Sequence, residues 1–378
     1  MSAGTIVVAG ALAQKAGQGG HAWVLLQYLL GLRRLGWEVV FLDRLDASTS
    51  AEAAPRLGYV AEVMQRFDLG GAYAVICEGG ERFVGLSRAE VLERTRRSAL
   101  LLNVMGFLTD PEILGLAPRR VFLDIDPGFG QMWRELGLHD PFRGHDAFVT
   151  IGENLGQPGC AIPTCGLDWI TTRQPIVLER WPRQSGEPGR FTSVASWRGA
   201  YGPVEYGGRT YGLRVHEFRR LAELPRLSGQ AFELALDIHP ADTRDRALLE
   251  TSGWTLVDPR AVAGDPWAYQ AYVQRSRGEF MVAKNMYVQA RSGWFSDRSI
   301  CYLASGRPVV AQDTGFARSY RTREGLVPFS DLDEAAAAVE AVAREYQRHA
   351  RAARAVAEEL FDSDRVLGRL LGRLGVAA

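Results

Sequence analysis

The chain has 378 residues, with 44 basic against 44 acidic side chains and 47% hydrophobic residues. A length of this order holds about two domains, each able to bury its own core, and the balanced charge lacks the basic excess of a dedicated nucleic-acid binder. No apolar run reaches the roughly 18–20 residues that cross a bilayer and the start has no signal-peptide pattern, so the reading is a cytoplasmic protein with no integral membrane segment and no nucleic-acid partner.

Residues 5–10 form an apolar run ending in Gly10, the signature of a buried parallel strand. A loop follows, closing with Gly17-Gln18-Gly19-Gly20-His21. Trp23, Leu25, Leu26, Leu29, Leu30 and Leu32 then recur at helical spacing up to Gly36, and residues 37–43 make a second strand. This βαβ unit opens a doubly wound sheet. Further strands are predicted over 72–77, 99–104, 120–125 and 147–151, with a helix over 87–97. Pro175, Pro182 and Pro188 punctuate a linker over 171–189. A second alternating series follows. Its strands are placed at 191–197, 232–239, 255–257, 279–284 and 307–312, and its helices at 211–224, 266–275, 297–305 and 333–352. Residues 353–374 read as a final helix. The expected architecture is α/β, with two Rossmann-like domains facing each other across a cleft. The domains are set at 1–170 and 190–355, with a C-terminal helix over 356–378 packing back on the first.

The glycine-rich loop does not match a dinucleotide fingerprint, because Gly17-x-Gly19 lies too far beyond the strand end. It also lacks the Gly-Lys-Ser/Thr of a P-loop. It does feed a helix N-terminus, where Gly19 and Gly20 can offer backbone N–H groups to an anion or a sugar. His21 stands at that helix start. The dipole there favours a neutral imidazole, suited to a general base; a packing or capping role is the plainer alternative.

Asp124-Ile125-Asp126 ends a strand with both carboxylates on one side. Asp126 can face the cleft as an acceptor contact or base, or the pair can simply organise the turn at Pro127-Gly128. No metal site is expected there or at Cys77, Cys160, Cys165 and Cys301, which form no C-x-x-C pair. In the second domain Arg198 and Lys284 lie at predicted strand C-ends, the ligand side of such sheets, where cations can stabilise a diphosphate. Lys15 and Lys284 are the only lysines among the basic residues. That bias fits an arginine-favouring bacterial source, in which a retained lysine can mark a need for a compact ammonium. Ser296, Arg298 and Ser299 open the 297–305 helix and can cradle phosphate. Asp297, Asp313 and Thr314 are the candidates for the donor ribose or sugar. Surface, turn or cap roles are the plainer alternatives for these residues too.

Ala304-Ser305-Gly306-Arg307-Pro308-Val309-Val310-Ala311, then Asp313-Thr314-Gly315, resembles the "A-x-G-x-P-V-V-A-x-D-x-G" signature of GT-B glycosyltransferases, most of all glycosyltransferase family 4. Gly325-Leu326-Val327-Pro328, Gly36-Trp37-Glu38-Val39 and Gly166-Leu167-Asp168 are similar to further family segments in the same order. The resemblance implies a hexosyltransferase that takes a sugar from a UDP- or GDP-linked donor to a small-molecule acceptor. It implies no metal and no separate cofactor, and a cleft that closes on the donor. One departure stands out: Gly293 and Cys301 occupy the positions of the family's two glutamates. The rival readings are a nucleotide-sugar epimerase or hydrolase on the same fold, and a non-catalytic nucleotide-sugar-binding relative. A monomer or homodimer is expected.

Overall fold

The computed structural model describes residues 4–46, 49–186, 189–199 and 201–376. Pro188 of the expected linker and the last two residues of the expected C-terminal helix lie outside them.

The first sheet holds β1 (Thr5–Ala9), β2 (Glu38–Leu45), β3 (Tyr73–Cys77), β4 (Arg82–Gly85), β5 (Ser98–Val104), β6 (Arg120–Asp124), β7 (Ala147–Thr150) and β8 (Trp169–Thr171). Their spatial order is β4-β3-β2-β1-β5-β6-β7-β8, and only the β3–β4 pair is antiparallel. The period-2 rule shows in β1. Ile6 and Val8 join the core beneath the Gly19–Arg34 helix, while Val7 and Ala9 join a separate core with Val91 and Ile113. Both faces are therefore covered, as parallel sheets require.

The second sheet holds β9 (Arg190–Ser196), β12 (Ala231–Asp237), β13 (Trp254–Val257), β14 (Gly278–Met281), β15 (Val309–Gln312) and β16 (Leu326–Phe329), all parallel, in the order β13-β12-β9-β14-β15-β16. Between β9 and β12 an antiparallel hairpin, β10 (Val204–Tyr206) and β11 (Arg209–Tyr211), turns at Gly207-Gly208. Its approach segment reaches the first domain, where Tyr201 packs on Phe129 and Trp133 with ring centroids 5.0 and 4.9 Å apart.

Several expected boundaries move. The strand placed at 279–284 stops at Met281, because the side chain of Gln312 takes the Ala283 amide (3.1 Å) and Lys284 instead precedes the Asn285–Ala290 helix. The helix placed at 211–224 is two short helices, Arg214–Arg220 and Leu224–Ser228, with Tyr211 in the hairpin. The stretch after residue 332 divides into three helices, Leu332–Arg344, Tyr346–Leu360 and Ser363–Arg373. The middle one lies on the second domain, and Arg354 donates to the Ala304 carbonyl at 2.7 Å. The chain passes to the first domain after Phe361, beyond the expected 355/356 boundary. There Leu367 and Ser363 meet Gly31 of the Gly19–Arg34 helix.

The two domains share a continuous interface. Trp23 donates its indole N–H to the Pro266 carbonyl (2.7 Å), and its ring lies 4.8 Å from that of Trp181. A Cβ on Gly19 would stand 2.0 Å from the Asp265 carbonyl oxygen, and one on Gly20 would stand 2.8 Å from the Tyr269 ring. A second seam joins the loop after β7 to the other domain. Asn154 N–H donates to the Ser292 carbonyl (3.1 Å), and Ala161 N–H donates to that of Ala290 (2.9 Å).

Gly19→Ala is expected to destabilise the protein by about 1–3 kcal/mol, the usual cost of overpacking. Gly58→Ala, in a helix where a Cβ meets nothing within 4 Å, should be neutral or stabilising by up to ~1 kcal/mol. Urea midpoints of the two variants check this; equal midpoints would refute the steric account.

Candidate active site

Between the domains lies a cavity of about 520 Å³, lined from the first domain by residues 16–21 and from the second by the C-ends of β9, β12 and β13. Strand C-ends are where open α/β sheets bind ligands. The Gly19–Arg34 helix points its N-terminus at this cavity with no side-chain cap and no acidic residue in its first turn. Its leading amides therefore present partial positive charge without a local counter-charge.

Two arginines face it from the other side. Arg298 is buried in the first turn of the Asp297–Ala304 helix. Its Nε pairs with buried Glu279, its Nη1 donates to the Val194 carbonyl (2.8 Å), and its Nη2 has no partner among the described residues. Burial opposes its charge, yet Glu279 holds its pKa above the ordinary arginine value. Arg214 opens the Arg214–Arg220 helix and donates to the Val282 (3.1 Å) and Ser196 (3.2 Å) carbonyls. Burial, and then the charge of Arg298, push its pKa down to about 10. It remains a cation at neutral pH, held against a like charge. That arrangement favours an anion between the two.

A buried polar network places Arg214. Asn285 accepts from the Gly212 amide (2.7 Å) and donates to Glu217 (2.6 Å), which also accepts from Gln312 (2.6 Å). Gly212 is needed there, because a Cβ would fall 2.4 Å from the His216 ring and 3.1 Å from Asn285.

His21 lines the cavity beside Arg214 and Asp297. Burial pushes its pKa down to about 4, the nearby Lys15 ammonium adds to the shift, and the Ala11 carbonyl partly offsets it. Nε2 is sealed from bulk solvent and has no partner among the described residues. The ring is neutral at physiological pH, with a lone pair free to accept a hydrogen bond. The expected neutrality has a different main cause, burial rather than the helix dipole. Its consequence also differs, because a group of pKa near 4 is a weak general base. Asp297 also lines the cavity, with its carboxyl raised above the ordinary range by burial.

No protein-family model matches the chain, and no curated protein matches its sequence. Solved structures do match over nearly the whole length. An alpha-glucosyltransferase in complex with UDP superposes with a TM-score of 0.61 at 11% identity, covering 98% of this chain and 100% of the other. An alpha-glucosyltransferase in complex with UDP and a 13-mer DNA containing a central A:G mismatch gives 0.62 at 12% identity over 98% and 100%. Sucrose-phosphate synthase from Thermosynechococcus elongatus gives 0.55 at 13% identity over 99% and 100%. The chain has the GT-B fold.

Within this GT-B frame the candidate residues divide. Gly19, Gly20, His21, Asp297 and Arg298 line the cavity. Arg198 does not: its side chain is 51% exposed and its guanidinium is paired with Asp242 at 2.5 Å. Lys284 and Asp126 lie off the cavity and bind each other across the domains. The ammonium is 2.6 Å from Asp126 Oδ2, 5.0 Å from the Phe129 ring and 5.3 Å from the Tyr287 ring. The Tyr287 hydroxyl donates to the other oxygen of Asp126. Neither the expected diphosphate cation nor the expected base is therefore free, and the pair joins the domains instead. Asp124 accepts from Gln131 (2.7 Å), Thr150 (2.9 Å) and the Asp126 amide (3.0 Å), the turn-organising role. Burial pushes its pKa up to about 6.

Ser296 caps the Asp297–Ala304 helix by accepting from the Arg298 amide (3.2 Å). Ser299 is buried off the cavity. Asp313 accepts from the Gly315 (2.9 Å) and Ala317 (3.3 Å) amides, and the Thr314 hydroxyl accompanies it inward onto the Trp294 carbonyl. These four residues shape the turns and the helix start and do not line the cavity. Among the described residues no group of three or more His, Cys, Asp or Glu side chains could hold a metal ion, and no helix is long and apolar enough to cross a membrane. Arg214 escaped the sequence reading. Its one local signal, a glycine two residues before an arginine at a helix start, does not separate it from a surface arginine.

His21 is neutral in the fold below the pH at which an unfolded histidine is protonated, so the unfolded chain binds more protons between about pH 4 and 6.5. Wild type should therefore lose stability relative to His21→Gln as pH falls through this window. The loss approaches roughly 3 kcal/mol, the depression expressed as free energy. Denaturation of both proteins at pH 7.0 and 4.5 tests this; a pH-independent difference refutes the buried neutral ring.

Proposed function

We propose that the protein is a glycosyltransferase that moves a sugar from a UDP-sugar to a small-molecule acceptor. The observation that carries this reading is the pair of neighbouring guanidiniums, Arg214 and Arg298, facing an uncapped helix N-terminus across the interdomain cavity. A nucleoside diphosphate leaving group gains negative charge as the sugar–oxygen bond breaks, and such preoriented cations and amides stabilise it. With that charge supplied by the chain, the reading needs no metal. UDP is chosen over GDP because solved structures of this fold carry it, including Anabaena HepE in complex with UDP and glucose at a TM-score of 0.54. The even charge balance favours a small acceptor over DNA, although an alpha-glucosyltransferase of this fold has been solved with DNA.

In the transfer, the acceptor hydroxyl oxygen bonds to the anomeric carbon, the bond to the diphosphate breaks, and UDP leaves with that electron pair. The hydroxyl proton needs a base. His21, with a pKa near 4, is weaker than a terminal phosphate of second pKa about 6. The departing diphosphate is therefore the better proton acceptor, which fits same-face transfer with retention. His21 Nε2 then orients a hydroxyl, and Asp297 is placed to hold the donor sugar or ribose.

Arg214→Gln is expected to weaken UDP binding by about 10- to 100-fold, the cost of losing a charged hydrogen bond of roughly 1.5–3 kcal/mol. Calorimetry with UDP measures it, with the melting temperature as the folding control. Unchanged UDP affinity in a folded variant sinks the assignment. Incubation with UDP-sugars alone, read by mass spectrometry and NMR, separates transfer from rival chemistry: an epimerised sugar, or rapid hydrolysis without acceptor, would favour the other enzymes considered.

A further inference from the structure

We infer that Asp43 is a positioning residue for the donor site: its buried carboxylate holds the loop over 10–18, and through that loop the first-domain wall of the cavity. The inference rests on the UDP-sugar reading and deepens it.

β1 ends at Ala9, opposite Leu42, while β2 runs on to Leu45. Asp43 is thus the first residue of β2 beyond its neighbour, where the chain leaving β1 passes. It is fully buried. Oδ2 accepts from the Leu12 (2.8 Å) and Ala13 (2.5 Å) amides, and Oδ1 accepts from the Arg44 amide (2.6 Å). Backbone bonds carry this hold forward. The Lys15 amide reaches the Leu12 carbonyl (3.1 Å), the Ala16 amide that of Ala13 (3.3 Å), and the Gln18 amide that of Lys15 (3.1 Å). Residues 16–21 then line the cavity, and the Ala22 amide donates to the Gln18 carbonyl (3.1 Å) as the helix begins. The His21 ring bonds the Ala11 carbonyl of the same loop. The uncapped helix end and the imidazole therefore both stand on a segment that one carboxylate anchors.

All three partners of that carboxylate are N–H donors, and it has no ion-pair partner among the described residues. Only an ionised carboxylate accepts at both oxygens; the amide of an asparagine would turn N–H groups toward one of the donors. Burial pushes the Asp43 pKa up to about 7, against the opposing pull of the Ala13, Leu12 and Arg44 amides. The fold as a whole therefore favours the neutral acid, yet the charged form grips the loop more strongly. Stability and loop position make opposite demands on this group, which is the pattern of a residue kept for a site. Of the segments packed here, the loop carries Lys15, β2 carries Arg44, bound to Thr109 and Asp46, and β3 carries Tyr73 and Cys77, both raised by burial.

The test uses the full chain and UDP-glucose, because UDP itself titrates at its terminal phosphate near pH 6. At pH 8, Asp43→Asn should bind UDP-glucose about 5- to 10-fold more weakly in calorimetry, the worth of one net hydrogen bond. Hydrogen exchange over residues 10–22 should be faster in the variant. Its melting temperature should be no lower than that of wild type, because the folded chain binds more protons than the unfolded one between about pH 4 and 7 and loses stability as pH rises through that window. Wild type should bind UDP-glucose about three- to fivefold more tightly at pH 8 than at pH 6, and Asp43→Asn should be flat. The inference is overturned if loop exchange or affinity is unchanged in the variant, if wild type shows no such pH dependence, or if affinity falls only together with the melting temperature. A wild type silent to UDP-glucose, with the loop still loosened in the variant, would instead sink the donor reading.

Discussion

The site depends on how closely the two domains approach. At Gly19 there is no room for a single Cβ, since it would overlap the Asp265 carbonyl oxygen. The same contact brings the helix that starts at Gly19 against the Pro266–Gln274 helix, whose start is capped by Asp265 accepting from the Ala268 amide at 2.7 Å. Widening this contact would move the helix N-terminus away from Arg214 and Arg298. The cavity would then lose the opposed positive charge that gives it a chemistry. Gly293 and Gly315 do the same on the other seam, where a Cβ would stand 2.8 and 2.6 Å from Asn154. Asn154 also donates to the Arg291 (3.0 Å) and Gly315 (3.2 Å) carbonyls.

Charge inside this molecule is managed unequally. Arg298 is held by Glu279, but Glu279 Oε2 and Arg298 Nη2 both lack partners among the described residues. A half-satisfied buried pair is costly, and an anion on Nη2 would complete one half of it. Arg214 has no ion-pair partner among the described residues and leans on two carbonyls. The exposed pairs, such as Arg198 with Asp242, are fully matched and contribute little to stability. Arg214 and Arg298 both line the cavity, the pattern expected where binding takes precedence over stability.

The fold was largely legible because its signals are local. Apolar runs bounded by glycine placed most of the long parallel strands, and the alternation of strand and helix implied the doubly wound sheets. The short strands β4, β8, β10, β11 and β16 went unread. Of the cavity lining, Gly19, Gly20, His21, Asp297 and Arg298 were legible, all at the starts of two helices. Side-chain roles depended on partners distant in sequence. Nothing near Lys284 announces that Asp126 will take its charge, and nothing near Arg198 announces Asp242. Arg214 looked like any helix-start arginine until Asn285, Glu217 and Gln312 fixed the turn before it.

The Lys284–Asp126 pair bears on the expectation of a cleft that closes on its donor. It lies at the interface with Tyr287 and the Phe129 ring, close to Tyr201 of the hairpin approach. Burial lowers the lysine pKa and Asp126 opposes that shift, so the charge is kept by its partner in the other domain. Separating the domains would strand a poorly hydrated ammonium and break the Asn154 and Ala161 backbone bonds together. Opening is therefore uphill on two seams at once. A nucleotide that relied on wide opening would meet this cost at every turnover. With both seams closed, the two cavity arginines stand opposed to the helix end.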